Sequence, residues 1–475
     1  MLILVLEAST SAAKAMLFDA DKGVIAIASE PYTPDIDIAN DGRQDTEKVF
    51  LSTLAVARKI AAGRDIAAIA VAGVWHSIAV CDTAMRPVLP THCWTFTRAK
   101  EICRRIRNDS ALSHKIYDRT GCMPNATYQP YTLMYLKENG VNLKNKLFAS
   151  QAGYNFFRMT NERLETASIA SGMGLVNTHE RKYDEFILNL AGITQNQLAP
   201  LSTYKDTRPL TADCARALGI AAGIPVIPPH SDGALNQLGS GATQPRTMTF
   251  SVGTSAAIRL SSLTPILPAT RATWCYIGVE NWLCGAATTG ACSCVNWFKD
   301  MLLQNKWTFA QLETELPELP DETNTPVFLP FLFGERCPGW NDERTGGFFD
   351  LKAATTIPQL YRAILEGVLF NIYQCYQELT ALLGTPERII MSGGILNSKA
   401  WSQMAADILG APVQLSENSQ ASLLGGAALA LHVAGALENI RDFPHDTPQT
   451  LHPQKSASEL YNEKYHKYLR WYNQQ

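Results

Sequence analysis

The chain predicts an α/β protein built from two large domains, and three observations carry that expectation. Apolar strand-like runs alternate with helical stretches along its length, the pattern of helices layered on sheets. Its 475 residues exceed what one hydrophobic core usually supports. A short peptide also occurs twice, about half a chain apart: Ser9-Thr10-Ser11-Ala12-Ala13 and Gly253-Thr254-Ser255-Ala256-Ala257. Each copy lies between two apolar runs, so each reads as a tight turn joining two strands.

In chain order, Leu2–Leu6, Ala13–Asp19 and Val24–Glu30 read as a meander turned at Asp21-Lys22-Gly23. Thr46–Gly63 has helical spacing with Thr46 as N-cap, and Ile66–Val74 is a buried strand ending at Trp75-His76-Ser77. Residues 95–220 are more polar and read as an insertion building a substrate-facing lobe. Ile224–Ile227 is a strand closed by Pro228-Pro229, leading to His230-Ser231-Asp232-Gly233. The pattern restarts at Thr247 with strands Met248–Val252 and Ala256–Leu260. Then come Pro326–Phe333, a polar loop Gly334–Gly347, a long helix Ile357–Leu383, the strand Arg388–Ser392, a Gly393-Gly394 turn and a helix Ser398–Leu409. The apolar run Ala421–Leu437, with its glycines, alanines and His432, reads as a closely packed buried helix, and the polar tail after Pro444 as a capping helix. Gly239, Gly241 and Pro245 cluster at the expected boundary, giving domains 1–243 and 244–475.

Composition excludes several classes. Hydrophobic residues make up 46%, charged residues 18%, and the net charge is −3. With no block of Lys or Arg, nucleic acid and anionic membranes are not expected partners. Eleven cysteines without a CxxC pair argue for reduced thiols in a cytoplasmic protein and against zinc. Glu7 interrupts the first apolar stretch, so no signal peptide is expected. Neither GxGxxG nor GxxxxGK[ST] occurs, which removes a Rossmann cofactor site and a P-loop.

The two turns are the first chemical candidates, because small hydroxyl side chains and free backbone N–H groups suit an anion. In the first, Thr10 and Ser11 would donate to phosphate, Lys14 would neutralise charge and Glu7 would hold hydrated Mg²⁺; a plain hairpin is the alternative. Gly253 and Thr254 would form the matching contact. Asp232 follows a strand end, where α/β proteins place ligands, so it reads either as a helix N-cap or as a base accepting a hydroxyl proton. It is also the second candidate carboxylate for the metal. Gly393 and Gly394 let a flat ring approach the backbone, with Asn397 beside it, or else form an ordinary glycine-rich connection. Trp75, His76, Trp94 and Arg98 suit a polyhydroxylated small molecule, neutral or acidic, although His76 also reads as a structural histidine. The charged loop Gly334–Trp340 reads as held by an internal ion pair.

Together these pieces resemble the FGGY carbohydrate kinases of the actin/hexokinase/Hsp70 ATPase superfamily, over nearly the whole chain and in the right order. Glu7–Lys14 falls on the family's first phosphate motif, usually Asp-x-Gly-Thr-x-x-x-Lys, and Ser231–Gly241 on the segment of its catalytic aspartate. Residues 252–259 are similar to the Ile-Gly-Thr-Ser-Gly-Ala-Ile-Arg stretch of gluconate kinases. Leu329–Phe349 resembles the Gly-Glu-Arg-x-Pro loop, and Ser392–Val413 the adenosine signature. The resemblance implies two ribonuclease-H-like domains flanking a cleft, with Asp232 as general base. It also implies Thr10, Ser11, Lys14, Gly253 and Thr254 on phosphate, Gly393, Gly394 and Asn397 around adenosine, and Trp75 with His76 on the sugar.

The sequence departs from the family in places. Glu7 replaces the usual aspartate and Ser9 the usual glycine, whose added Cβ would hold the backbone away from phosphate. Trp94-Thr95-Phe96-Thr97-Arg98 lacks the family's aspartate, and the signature near Tyr128–Asn139 has no lysine at Thr132 or Leu133. The expected activity is ATP- and Mg²⁺-dependent phosphorylation of a small sugar or sugar acid, gluconate first. Xylulose or another ketose or polyol is the alternative substrate, and a catalytically weak sugar- and nucleotide-binding homologue the alternative class. Family analogy suggests a homodimer.

Overall fold

The computed structural model describes residues 1–38, 41–316, 325–416, 420–445 and 449–474. Each half is organised on a sheet of the same topology. In the first, β1 (Leu2–Ala8), β2 (Ala12–Asp19) and β3 (Gly23–Pro31) form an antiparallel meander. After helix α1 (Thr46–Ala61), β4 (Ile66–Gly73) runs parallel to β1, and β5 (Pro225–Ser231) runs parallel to β4. Helix α2 (Asp232–Gly239) follows directly. The order is therefore β3-β2-β1-β4-β5, with Arg208–Pro209 added outside β5.

The second half repeats this with β6 (Thr247–Val252), β7 (Ala256–Ser262) and β8 (Trp282–Thr288) antiparallel. Helix α3 (Ile357–Leu383), strand β9 (Arg388–Gly393) parallel to β6, and β10 (Val413–Leu415) complete it. The order β8-β7-β6-β9-β10 is extended by Trp274–Ile277 and Thr450–Leu451. This is the pair of ribonuclease-H-like sheets that the resemblance implies. Apart from Glu7, β1 is apolar, and Ile3 to Ala8 are all buried because layers cover both sheet faces.

Three local readings change. Asp45, not Thr46, caps α1, its carboxylate accepting from the Glu47 and Lys48 N–H groups at 3.1 and 3.0 Å. Thr46 instead points inward to the Thr91 hydroxyl, 2.9 Å away. Strand β5 does not close at Pro228-Pro229 but continues to Ser231. Its register against β4 slips between Ile227 and His230, where the prolines have no N–H to donate. The inserted lobe starts well before residue 95, because its five-stranded sheet takes in Asp37–Ile38, Arg43–Gln44, Ser77–Cys81 and Pro87–Cys93 as well as Leu147–Ala149.

The halves meet through α4 (Ala421–Val433), which crosses α2 and packs its apolar residues against β1 and β4 of the first sheet. Glycine is needed at two points of this crossing. A methyl group on Gly239 would lie 1.9 Å from the Ala421 carbonyl oxygen, and one on Gly425 would lie 2.0 Å from that of Leu235. Backbone faces backbone there, so neither side can yield. Gly425→Val is expected to cost at least about 1–3 kcal/mol, the usual range for overpacking. Urea denaturation would measure it, and an unchanged midpoint would contradict this packing.

Candidate active site

Parallel register brings the first half's candidates to one sheet edge. Ala8 of β1 pairs with Gly73 of β4, and Gly73 pairs with Ser231 of β5. The turn at residues 9–11, the Trp75-His76 pair and Asp232 therefore leave three adjacent strands at the same end, where open α/β sheets bind ligands. Lys14 pairs with Glu7 across β1 and β2 and donates Nζ to Glu7 Oε1 at 3.1 Å. Ser422, in the first turn of α4, donates to the other oxygen, Oε2, so Glu7 is gripped from both halves. The Ser9 hydroxyl folds back on Ala12, donating to its carbonyl at 2.7 Å and accepting its N–H at 3.2 Å. Trp94 Nε1 donates to Thr10 Oγ1 at 2.9 Å, leaving the Thr10 hydrogen free to donate.

Asp232 is not the helix cap; Ser231 is, accepting the Ala234 N–H at 3.3 Å. Among the described residues the Asp232 carboxylate accepts only the adjacent Gly233 N–H, at 2.7 Å. Burial, then the negative charge of Glu7, pushes its pKa up to about 6, against the pull of Arg259, Gly233 and Lys14. Trp75 holds the approach to it. A methyl on Gly233 would lie 2.0 Å from the indole ring, whose Nε1 is fixed by the Ser168 carbonyl at 2.8 Å. His76 is buried, and Nδ1 faces the Gly172 carbonyl, which can only accept, so Nδ1 carries the hydrogen and Nε2 is an acceptor. Burial and the guanidinium of Arg336 hold the imidazole well below its usual range, hence neutral.

In the second half, Val252 of β6 pairs with Gly393 of β9, which sets the Gly253-Thr254 turn beside the Gly393-Gly394 turn. Gly253 and Thr254 are exposed, and their carbonyls are held by the N–H groups of Cys292 and Ser293 at 2.9 and 3.2 Å. The Gly253 N–H is already given to the Ser255 carbonyl, so any contact from this turn falls to Thr254. Gly393 has φ 94°, and a side chain there would meet the Val252 carbonyl at 2.4 Å. Asn397 is exposed at the end of the helical turn Gly394–Asn397.

Two arginines that sequence reading did not single out reach toward the first half. Arg259 of β7 lies over the Trp75 ring at 5.5 Å and acts electrostatically on Asp232. Arg336 sends Nη2 to the Tyr276 hydroxyl at 3.0 Å and toward His76 Nε2 at 3.5 Å. Both leave a buried Nε without a partner among the described residues, a cost of about 1–3 kcal/mol each. The motif containing Arg336 was visible, but its loop reads as an internal ion pair. That reading holds for the neighbouring residue, since Glu335 faces Arg344 at 3.4 Å and accepts from Tyr472. Arg98 does not join the cluster: it is exposed and ion-paired with Asp41 at 2.8 Å. Trp94 serves the first turn through its bond to Thr10.

Because Asp232 holds its proton more tightly folded than unfolded, its ionisation costs stability as pH rises from about 4 to about 6. Thermal melts across that window should show Asp232→Asn gaining on the native chain. A gap independent of pH would contradict the buried setting.

Comparison with known proteins matches residues 2–239 to the N-terminal domain and 248–434 to the C-terminal domain of the FGGY family of carbohydrate kinases. The gluconokinase of Bacillus subtilis (strain 168) is 27% identical, covering 91% of this chain and 88% of its own. That of Bacillus licheniformis is 28% identical, covering 96% and 92%. Among solved structures, a gluconate kinase from Lactobacillus acidophilus superposes with a TM-score of 0.92 at 23% identity, over 100% of this chain and 98% of that one. A ligand-bound xylulose kinase from the same organism also gives 0.92 at 23%, over 99% and 98%. With both family domains matched in order across two repeated sheets, the chain belongs to the FGGY family of carbohydrate kinases.

Proposed function

We propose that this kinase transfers the γ-phosphoryl group of ATP to a hydroxyl group of gluconate. The observation that carries the reading is Asp232, a carboxylate freed from capping and set at the strand edge with Glu7 and Lys14. Its pKa of about 6 leaves it ionised at neutral pH yet basic enough to take a proton. In this reading Asp232 accepts the proton of the substrate hydroxyl as that oxygen attacks phosphorus. His76 Nε2, neutral and accepting, takes a hydrogen bond from a second hydroxyl. Trp75 gives the sugar an apolar wall.

Thr10, Ser11 and Lys14 from domain 1–243, and Thr254 from domain 244–475, meet the phosphates. The Gly393-Gly394 turn, with Asn397, lines the adenosine side. Phosphoryl transfer depends mainly on positioning and charge stabilisation, which suits groups supplied from both halves. Two neighbouring carboxylates fit a hydrated Mg²⁺, since that ion keeps several waters and takes one or two carboxylates beside phosphate oxygens. Glu7 and Asp232 would hold it, and when bound it neutralises phosphate charge. The gluconokinase relatives support gluconate as acceptor.

A coupled ADP-release screen over sugar acids, ketoses and polyols tests the reading, with gluconate expected to give the highest kcat/KM. A preference for xylulose would replace the acceptor and leave the chemistry standing. Asp232→Asn should lower kcat by about 10²–10⁴-fold with ATP binding retained. In the native enzyme kcat/KM should rise with pH through about 6 and then level, because the protonated acid cannot accept a proton. Full turnover by Asp232→Asn would overturn the assignment of the base.

A further inference from the structure

The groups around the acceptor pocket do not balance in charge. Lys14 and Glu7 neutralise each other through their ion pair. Asp232 offsets one guanidinium, that of Arg259, on which it acts electrostatically. Arg336 is left over: among the described residues its polar contacts are the Tyr276 and Tyr128 hydroxyls and the neutral His76 ring, none of which carries charge. The two guanidiniums are close enough to repel, and each has a buried Nε with no acceptor among the described residues. Two like charges held together with a counter-ion for only one of them are stable because other groups fix them. Tyr276, itself hydrogen-bonded to Tyr128 at 2.7 Å, orients Arg336, while Ser251 Oγ, 3.3 Å from Arg259 Nη1, orients Arg259.

We propose that Arg259 and Arg336 form a subsite for the carboxylate of the acceptor, so that the substrate class is a polyhydroxylated monocarboxylate and not a neutral sugar. This rests on the kinase reading for its chemistry, but the subsite itself is a statement about binding. A guanidinium presents a planar fork of donors that matches a carboxylate, which a neutral carbonyl or hydroxyl matches poorly. One negative charge cancels the uncompensated cation and accepts from that fork of donors. Both arginines come from the second half, whereas Asp232 and His76 come from the first. A sugar acid would then span the two, its carboxylate held on one side and its reacting hydroxyl presented to Asp232 on the other.

The test uses D-gluconate and its neutral isostere D-gluconamide, titrated calorimetrically into the full-length protein, with ADP release measured on the same two compounds. Gluconate should bind about 10- to 100-fold more tightly than gluconamide, the range of charge-assisted hydrogen bonds to one carboxylate. Arg259→Gln and Arg336→Gln should each cut that ratio several-fold by weakening gluconate alone. Melting curves without ligand check that each variant folds, and the comparison of the two ligands on the native protein needs no variant. Equal binding of both compounds, no binding of either, or a ratio kept in both folded variants would overturn the subsite. Preferential binding of gluconate without ADP release would keep the subsite and overturn the kinase reading.

Discussion

The crossing of α2 and α4 is the constraint on which the rest of the molecule depends. Backbones approach so closely at Gly239 and Gly425 that a single methyl group would not fit. Each helix begins at the site: α2 opens with Asp232, and the second residue of α4, Ser422, donates to Glu7. Holding the helices in one relation therefore places a carboxylate from each of two strand ends near the other. The same crossing joins the halves, because α4 lies on the sheet formed by β1 and β4 although it comes from the second half of the chain.

That placement sets the electrostatics. Burial and Glu7 raise the Asp232 carboxyl, while Arg259, the Gly233 N–H and Lys14 lower it, and the balance falls at about 6. A fully compensated aspartate would be a poor base, and an uncompensated buried one would stay protonated at neutral pH. The arrangement costs folding stability, as do the unpartnered donors of Arg259 and Arg336. Such costs concentrate where a ligand completes the structure, since the ligand supplies the missing partners.

Glu7 and Ser9, where the chain departs from the family pattern, both find partners within the fold. Ser9 closes its own turn by bonding Ala12 through its hydroxyl. The longer Glu7 side chain is engaged at both oxygens, by Lys14 and by Ser422. These partners lie seven residues away in one case and in the other half of the chain in the second, so only the former was within reach of local reading.

Local pattern determined much of this protein. The apolar periodicity of β1, β2, β4, β6 and β9 and of the helix Ile357–Leu383 reflects burial of faces, which hydrophobic spacing records directly. The repeated turns and Asp232 were legible for the same reason, because small and charged residues interrupt apolar strands where chains leave a sheet. Spacing alone puts the α1 cap at Thr46 and leaves Asp232 open between cap and base, since Asp45 and Ser231 are equally good acceptors and only backbone geometry selects between neighbours. Arg98 and Arg336 could be told apart only by the fold: both are arginines in polar loops, but one meets Asp41 in solvent and the other reaches Tyr276 and His76. Strand periodicity is a property of neighbours in sequence, whereas the charge balance around Asp232 sums groups from residues 7 to 336, and only the folded chain brings them within electrostatic reach.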